Sequence, residues 1–233
     1  MSRRKTGGRG RDPYAGSGRA RGQAPTRDGR PQGPAPTPAP KQRHSTKRAL
    51  QEATRPTAPK PVRDTGTTRQ GRDEARRLID VHNHYRRELA QVRDLLRQVR
   101  KGGATIDRAR GRVNALALAT ADGGFSEICR AACRSLTEHH RLEDRGVFPH
   151  LRRSRRDLQP VLDRLDEEHR TIHSLLTDVD RALVHLARNP GDHGPVTKAI
   201  DLLTDTVLSH FAYEERELLG PLARYGFAPG RRR

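Results

Sequence analysis

Between Leu78 and Val99 the chain places inward-type residues at Leu78, His82, Tyr85, Leu89, Val92, Leu96 and Val99, a steady alternation of four and three. That spacing marks one face of an α-helix, whereas a half-buried strand would alternate at every second residue. The pattern returns three times. A second seam runs through Phe125, Cys129, Ala132, Leu136, His139 and Glu143. A third runs through Leu162, Leu165, His169, Ile172, Leu176, Val179, Leu183 and Leu186, and a fourth through Val196, Ile200, Leu203, Val207, His210, Glu214 and Leu218. Four long apolar stripes without any strand pattern bury themselves best against one another. The fold class is therefore all-α, an antiparallel up-down four-helix bundle.

Punctuation along the chain sets the boundaries. Helical periodicity begins at Asp73, and Gly102-Gly103 ends the first helix. Residues 104–120 read as a short extra helix, stopped by Asp122-Gly123-Gly124. Pro149 should end or kink the second long helix, because proline lacks the N–H and clashes with the preceding turn. Asp157 is the expected N-cap of the third, with Pro160 in its first turn. Asn189-Pro190-Gly191 and Gly194-Pro195 separate the third from the fourth, and Pro221 ends or kinks the fourth. HHRLEDRGVFPHL (139–151) and HFAYEERELLGPLA (210–223) form a weak internal repeat of His, acids, then proline.

Composition divides the chain differently. Residues 1–72 hold 18 Lys/Arg against 4 Asp/Glu, with 10 of the 16 prolines, and the chain as a whole carries +19. So little apolar surface cannot offset the entropy of ordering, which predicts a disordered basic Pro/Gly-rich tail over 1–72. The bundle then occupies 73–228 and a short basic tail 229–233. The N-terminal tail could hold nucleic acid or an acidic partner through phosphate neutralisation. It lacks the interleaved aromatics that would stack on bases. No run of about 20 apolar residues exists to span a membrane, and the basic start lacks the apolar run of a secretory signal. Cys129 and Cys133 read as small core residues, which suits a reducing cytoplasm.

The chemistry lies where polar residues interrupt the seams. A buried polar group without a partner costs about 1–3 kcal/mol, so an apolar seam should not contain one. Here His82 interrupts the first seam, and His139 with Glu143 the second. His169, with His173 four residues on, interrupts the third, and His210 with Glu214 or Glu215 the fourth. One histidine on an apolar face is commonly a satisfied core residue, and one H-x-x-x-E pair is common on a solvated helix. Four helices that each bring a histidine inward are another matter. Imidazole with carboxylate is the donor set for iron, manganese or zinc.

The order H … HxxxE … HxxxH … HxxxxE, with Phe148-Pro149 after the second-helix acids, resembles the hemerythrin family, in particular bacterial hemerythrin-like proteins with an HHE cation-binding domain. The resemblance covers about residues 73–226. It implies a four-helix bundle around two iron ions joined by an oxo or hydroxo bridge, and binding of dioxygen, peroxide or nitric oxide. Manganese suits the same donors. Matched residue by residue, the resemblance implies His82, His139, Glu143, His169, His173 and His210 as ligands, with Glu143 and a fourth-helix acid bridging. Distance from the proline favours Glu215 as that acid, and the seam favours Glu214. His84 is an alternative to His82, and His140 with Asp144 to His139 with Glu143; the seams favour the first of each, leaving His140 and Asp144 outward or supporting. Tyr85 and Tyr213, three residues beyond a ligand each, are candidate proton donors or outer supports. His150, His185 and His193 fall off the seams and read as surface. Whether such a centre turns over peroxide or only binds and releases a small ligand is not set by its ligands.

Overall fold

The computed structural model describes residues 34–60, 66–100 and 125–227. The expected short helix at 104–120, the first part of the basic tail and the C-terminal tail at 229–233 lie outside them. Helix α1 spans Arg69–Arg100, α2 Phe125–Leu142, α3 Phe148–Ser154, α4 Gln159–Arg188 and α5 Gly194–Tyr225, and no strand occurs among the described residues. None of these helices is long and apolar enough to cross a membrane.

Helix α1 starts four residues before Asp73. The Thr68 hydroxyl accepts a 2.8 Å hydrogen bond from the Gly71 N–H and so caps the first turn. Gly71 is required there for another reason: a Cβ would stand 2.2 Å from the carbonyl oxygen of Ala223 in the last turn of α5. The seam residues Leu78, His82, Tyr85, Leu89, Val92 and Leu96 are all buried, as the periodicity predicts.

Pro149 neither ends nor breaks the second helix. Residues Glu143–Val147 form one π-helical turn, and α3 continues from Phe148 with Pro149 near its start. A proline's missing N–H and its clash both fall on the carbonyl four residues back, here Arg145, within the widened turn. Asp157 does not cap α4. It lies in a 3-10 turn, Arg156–Leu158, and pairs with Arg155 at 2.7 Å. In α5, Pro221 is accommodated and the helix runs on to Tyr225, where Gly226 takes a positive φ of 73°.

The four long helices pack in a ring, α1 against α2 and α5, and α4 against α2 and α5. The core is in two apolar parts. One gathers Leu89, Val92, Leu136, Leu176 and Val207 with their neighbours, and the other Leu78, Phe148, Leu151, Leu162 and Leu222 with theirs. On α1, His82 falls between them, so a polar layer crosses the bundle between two apolar ones.

The expectation of disorder over 1–72 does not hold for residues 34–60, which lie along α4 and α5 as an extended strap. Its attachment is polar, with Leu50 its one buried apolar residue. The N–H groups of Thr37, Ser45 and Ala58 donate to Glu215, Asp205 and Glu217 at 2.7, 2.8 and 2.7 Å. An extended proline-rich backbone has no internal hydrogen bonds and little freedom left to lose, so buried acids can hold it without an apolar core. The same contacts explain α5, which is buried on nearly every side from Leu203 to Ala223.

Candidate metal centre

Five histidines and two glutamates converge in the polar layer. His82, His139, Glu143 and Glu214 form one group and His140, His169 and His210 a second, with ligand-type atoms within 4.8 Å of one another in each; all seven residues are buried. Helix α1 contributes one of them, α2 with its π turn three, α4 one and α5 two.

Three of the imidazoles are held from behind by carboxylates. His82 Nδ1 lies 2.9 Å from Glu215 Oε1, His169 Nδ1 2.7 Å from Asp144 Oδ1, and His210 Nδ1 3.1 Å from Glu168 Oε2. An imidazole that donates its Nδ1–H in this way presents the Nε2 lone pair on the other side, the usual arrangement of metal-binding histidine. Ring stacking fixes the planes as well: His82 lies on Phe211 at 3.9 Å and His140 on His169 at 4.0 Å.

The inward atoms lack ordinary partners. Nε2 of His82, His139 and His140 and both carboxylate oxygens of Glu143 and Glu214 are buried without a hydrogen bond. Each such group costs about 1–3 kcal/mol, and more when charged, so the cluster is destabilising unless a cation meets it. Burial, together with the neighbouring His82, pulls His139 down to about 3. Burial and the surrounding histidines hold His140 well below its usual value too, and burial lowers His210 despite its bond to Glu168. These rings are therefore neutral and available as donors. Burial and the nearby Glu214 push Glu143 well above the carboxylate range. Burial would raise Glu214 as well, but His82, 3.4 Å away, and the other imidazoles outweigh it and bring Glu214 to about 2. A site that neutralises imidazoles and crowds two acids together fits a cation.

A family model for the hemerythrin HHE cation binding domain matches residues 73–222. The chain belongs to the hemerythrin family. No curated protein and no solved structure matches it. Hemerythrin-like domains bind metal cations, and this one offers the donors for it in its polar layer.

Against the expectations from sequence, the hemerythrin domain brings together His82, His139, Glu143, His169, His210 and Glu214. It leaves two others out. His173 is exposed on α4, because the seam passes through Ile172 instead. Glu215 is buried but engaged behind His82, with Arg86 2.9 Å from its Oε1 and the Thr37 N–H on its Oε2; the inward fourth-helix acid is Glu214. His140, expected to face outward or to support, is in the cluster. His139 and His140 diverge by about 100° around the helix, one ring meeting His82 at 5.2 Å and the other stacking on His169. The doubled His139-His140 was the available signal, and a seam facing one neighbour at a time hid it. Asp144 supports His169, and Glu168, adjacent to His169 in sequence, supports His210. His84 stays outside, paired with Glu88 at 3.3 Å.

Neither tyrosine turns its hydroxyl to the cluster's ligands. Tyr85 donates to the Ser135 carbonyl at 3.0 Å, and its ring packs on His139 at 5.2 Å. Tyr213 donates to the Pro56 carbonyl of the strap at 2.8 Å. Cys129 is buried and Cys133 half-buried among apolar residues, and burial raises both thiols, Cys133 to about 11, so they remain protonated. His150, expected at the surface, is buried and donates through Nε2 to the Tyr225 carbonyl at 2.9 Å, capping the end of α5.

Proposed function

We propose that the chain is a non-haem di-iron protein of the hemerythrin type that binds dioxygen, peroxide or nitric oxide, for sensing, storage or detoxification. The observation that carries this reading is the position of the two inward carboxylates. Glu143 lies 3.3 Å from His139 Nε2 through one oxygen and 3.6 Å from His169 Nε2 through the other. Glu214 lies 3.4 Å from His82 Nε2 and 3.7 Å from His210 Nε2. Each acid stands between a histidine of one group and a histidine of the other, as a ligand shared by two cations would.

On this reading His82 and His139 would hold one iron, His140, His169 and His210 would hold the second, and Glu143 and Glu214 would be available to both. With two imidazoles against three, the His82–His139 side would leave more room for a small ligand. Bound iron would supply the capacity to exchange electrons with oxygen or nitric oxide. The protein's part is to hold His139, His140 and His210 neutral, to aim the rings, and to wall the His82–His139 side with the rings of Phe211 and Tyr85, which exclude water. Because the Tyr85 hydroxyl is committed to Ser135, that wall offers no ready proton, which favours reversible binding and sensing over O–O cleavage. The contact of Gly71 with Ala223, and of Arg93 with Asp201 at 2.8 Å, supports an antiparallel order for α1 and α5. Two free thiols support a reducing cytoplasm.

The test is metal content and the optical spectrum of the purified chain, before and after oxygen or peroxide. About two irons per chain and an oxo-bridge band lost in His169→Ala are expected. One metal per chain, or zinc alone, would overturn the di-iron reading.

A further inference from the structure

The strap reaches both histidine groups from behind. At one end the Thr37 N–H donates to Glu215 Oε2 at 2.7 Å, and the other oxygen of Glu215 takes His82 Nδ1 at 2.9 Å. At the other end Arg55 grips Glu168 with two parallel bonds, Nε to Oε1 at 2.7 Å and Nη2 to Oε2 at 2.9 Å. Glu168 Oε2 is the atom that holds His210 Nδ1 at 3.1 Å. The Arg55 side chain is itself buried, with its guanidinium 4.7 Å from the ring centre of Tyr213, and the Tyr213 hydroxyl donates to the next strap carbonyl, Pro56. The Arg55 Nη1 also donates to Ser209 at 3.0 Å, so nearly every polar edge of this guanidinium is spoken for.

We propose that residues 37–58 are a working part of the metal centre: Arg55 through Glu168, and the Thr37 N–H through Glu215, position His210 and His82, so that strap docking and metal binding strengthen one another. The inference rests on the reading of the cluster as a di-iron site. A bidentate guanidinium–carboxylate pair fixes the carboxylate plane as well as its charge. Glu168 so fixed can hold only one orientation of the His210 ring, and that orientation carries Nε2 towards His169. Without Arg55, Glu168 is a buried acid free to swing towards solvent, and His210 loses its guide. Coupling of this kind is reciprocal: whatever factor the strap adds to metal affinity, the metal adds to strap docking. Arg55 is a positioning residue, acting on the metal only through Glu168 and His210.

The experiment uses the full chain and three variants, Arg55→Ala, Arg55→Lys and Arg48→Ala. Arg48 serves as the control, since it is an exposed strap residue paired only with Glu52 at 3.1 Å. Anaerobic Fe(II) titration gives the affinity, and the visible spectrum of the Co(II)-loaded chain reports ligand geometry. Arg55→Ala should weaken Fe(II) about tenfold or more and change the Co(II) spectrum. Arg55→Lys, which keeps the charge but loses the fork, should fall between, and Arg48→Ala should match the parent. In the parent, Fe(II) should slow trypsin cleavage at Lys41, Arg43, Lys47 and Arg48. Should Arg55→Ala fail to fold, Arg55→Lys and the trypsin assay carry the test. Unchanged affinity and spectrum, with trypsin indifferent to Fe(II), would overturn the proposal while leaving the di-iron reading intact. A parent chain that takes up no metal sinks that reading, and the proposal with it.

Discussion

His169 and His210, on different helices, bring their Nε2 atoms to 3.1 Å, while Asp144 and Glu168 hold the opposite nitrogens of the same two rings. Two imidazoles that both donate through Nδ1 face each other with lone pairs. Such a pair repels unless a cation lies beside both. Replacing His169 with Ala should therefore remove at least half of the bound metal, whereas His173→Ala should leave metal content unchanged. Elemental analysis of the two purified variants separates the inward histidine from the exposed one.

The two neighbouring acids of α5 should differ in kind. Glu214→Gln removes a charge from the interior of the cluster and should abolish binding of one or both metals. Glu215→Gln disturbs only the support of His82 and should keep the stoichiometry while weakening affinity by about 10- to 100-fold. Equal effects in a metal titration would refute the assignment of Glu214 as the inward acid.

Acid should destabilise the metal-free chain. His139, His140 and His210 have folded values depressed below 6.5, so the unfolded chain takes up protons that the folded one refuses. Stability is then full above about pH 6.5 and falls as pH drops, by up to about 1.4 kcal/mol per pH unit for each group. For His139 the window extends down to about pH 3. His82, whose folded value is raised by Glu214 and Glu215 against the pull of burial, acts the other way, and its contribution is lost as pH rises above 6.5. Glu143, which burial and the nearby Glu214 push up, acts the same way as His82, so denaturant midpoints of the apo chain should fall between about pH 6.5 and 5, where the three lowered histidines outweigh it. A flat profile would contradict neutral buried imidazoles.

Gly71→Ala should destabilise the bundle without altering the metal site. The added methyl would stand 2.2 Å from backbone of Ala223, which cannot rotate away as a side chain could. A cost of about 1–3 kcal/mol is expected from overpacking, read as a lowered thermal midpoint with an unchanged Fe(II) titration.

The seams reveal most of this centre because burying a polar group is costly enough to make an inward histidine conspicuous. His82, His139, Glu143, His169, His210 and Glu214 all lie on them. Where the seam and another criterion disagree, the seam prevails: it skips His173 for Ile172, and it runs through Glu214, while distance from the proline favours Glu215. Its failure at His140 also has a physical reason. One seam describes a helix facing one neighbour, but α2 meets α1 with His139 and α4 with His140, and it then widens into a π turn that no apolar period announces. The strap escapes composition for the opposite reason. Its order comes from single N–H groups and one guanidinium meeting buried acids, and averages over charge and proline content contain no such pairing.

The contact between Thr37 and Glu215 closes a loop of 178 residues in a chain of 233. Helix α5 supplies His210 and Glu214, and it follows the other described helices in the chain. During synthesis, therefore, the strap emerges before both helices that hold it, and its Arg55 end can meet Glu168 on α4 before its Thr37 end can meet Glu215 on α5. The cation-binding layer and its cover are thus completed together, once α5 is present, rather than in the order of the sequence.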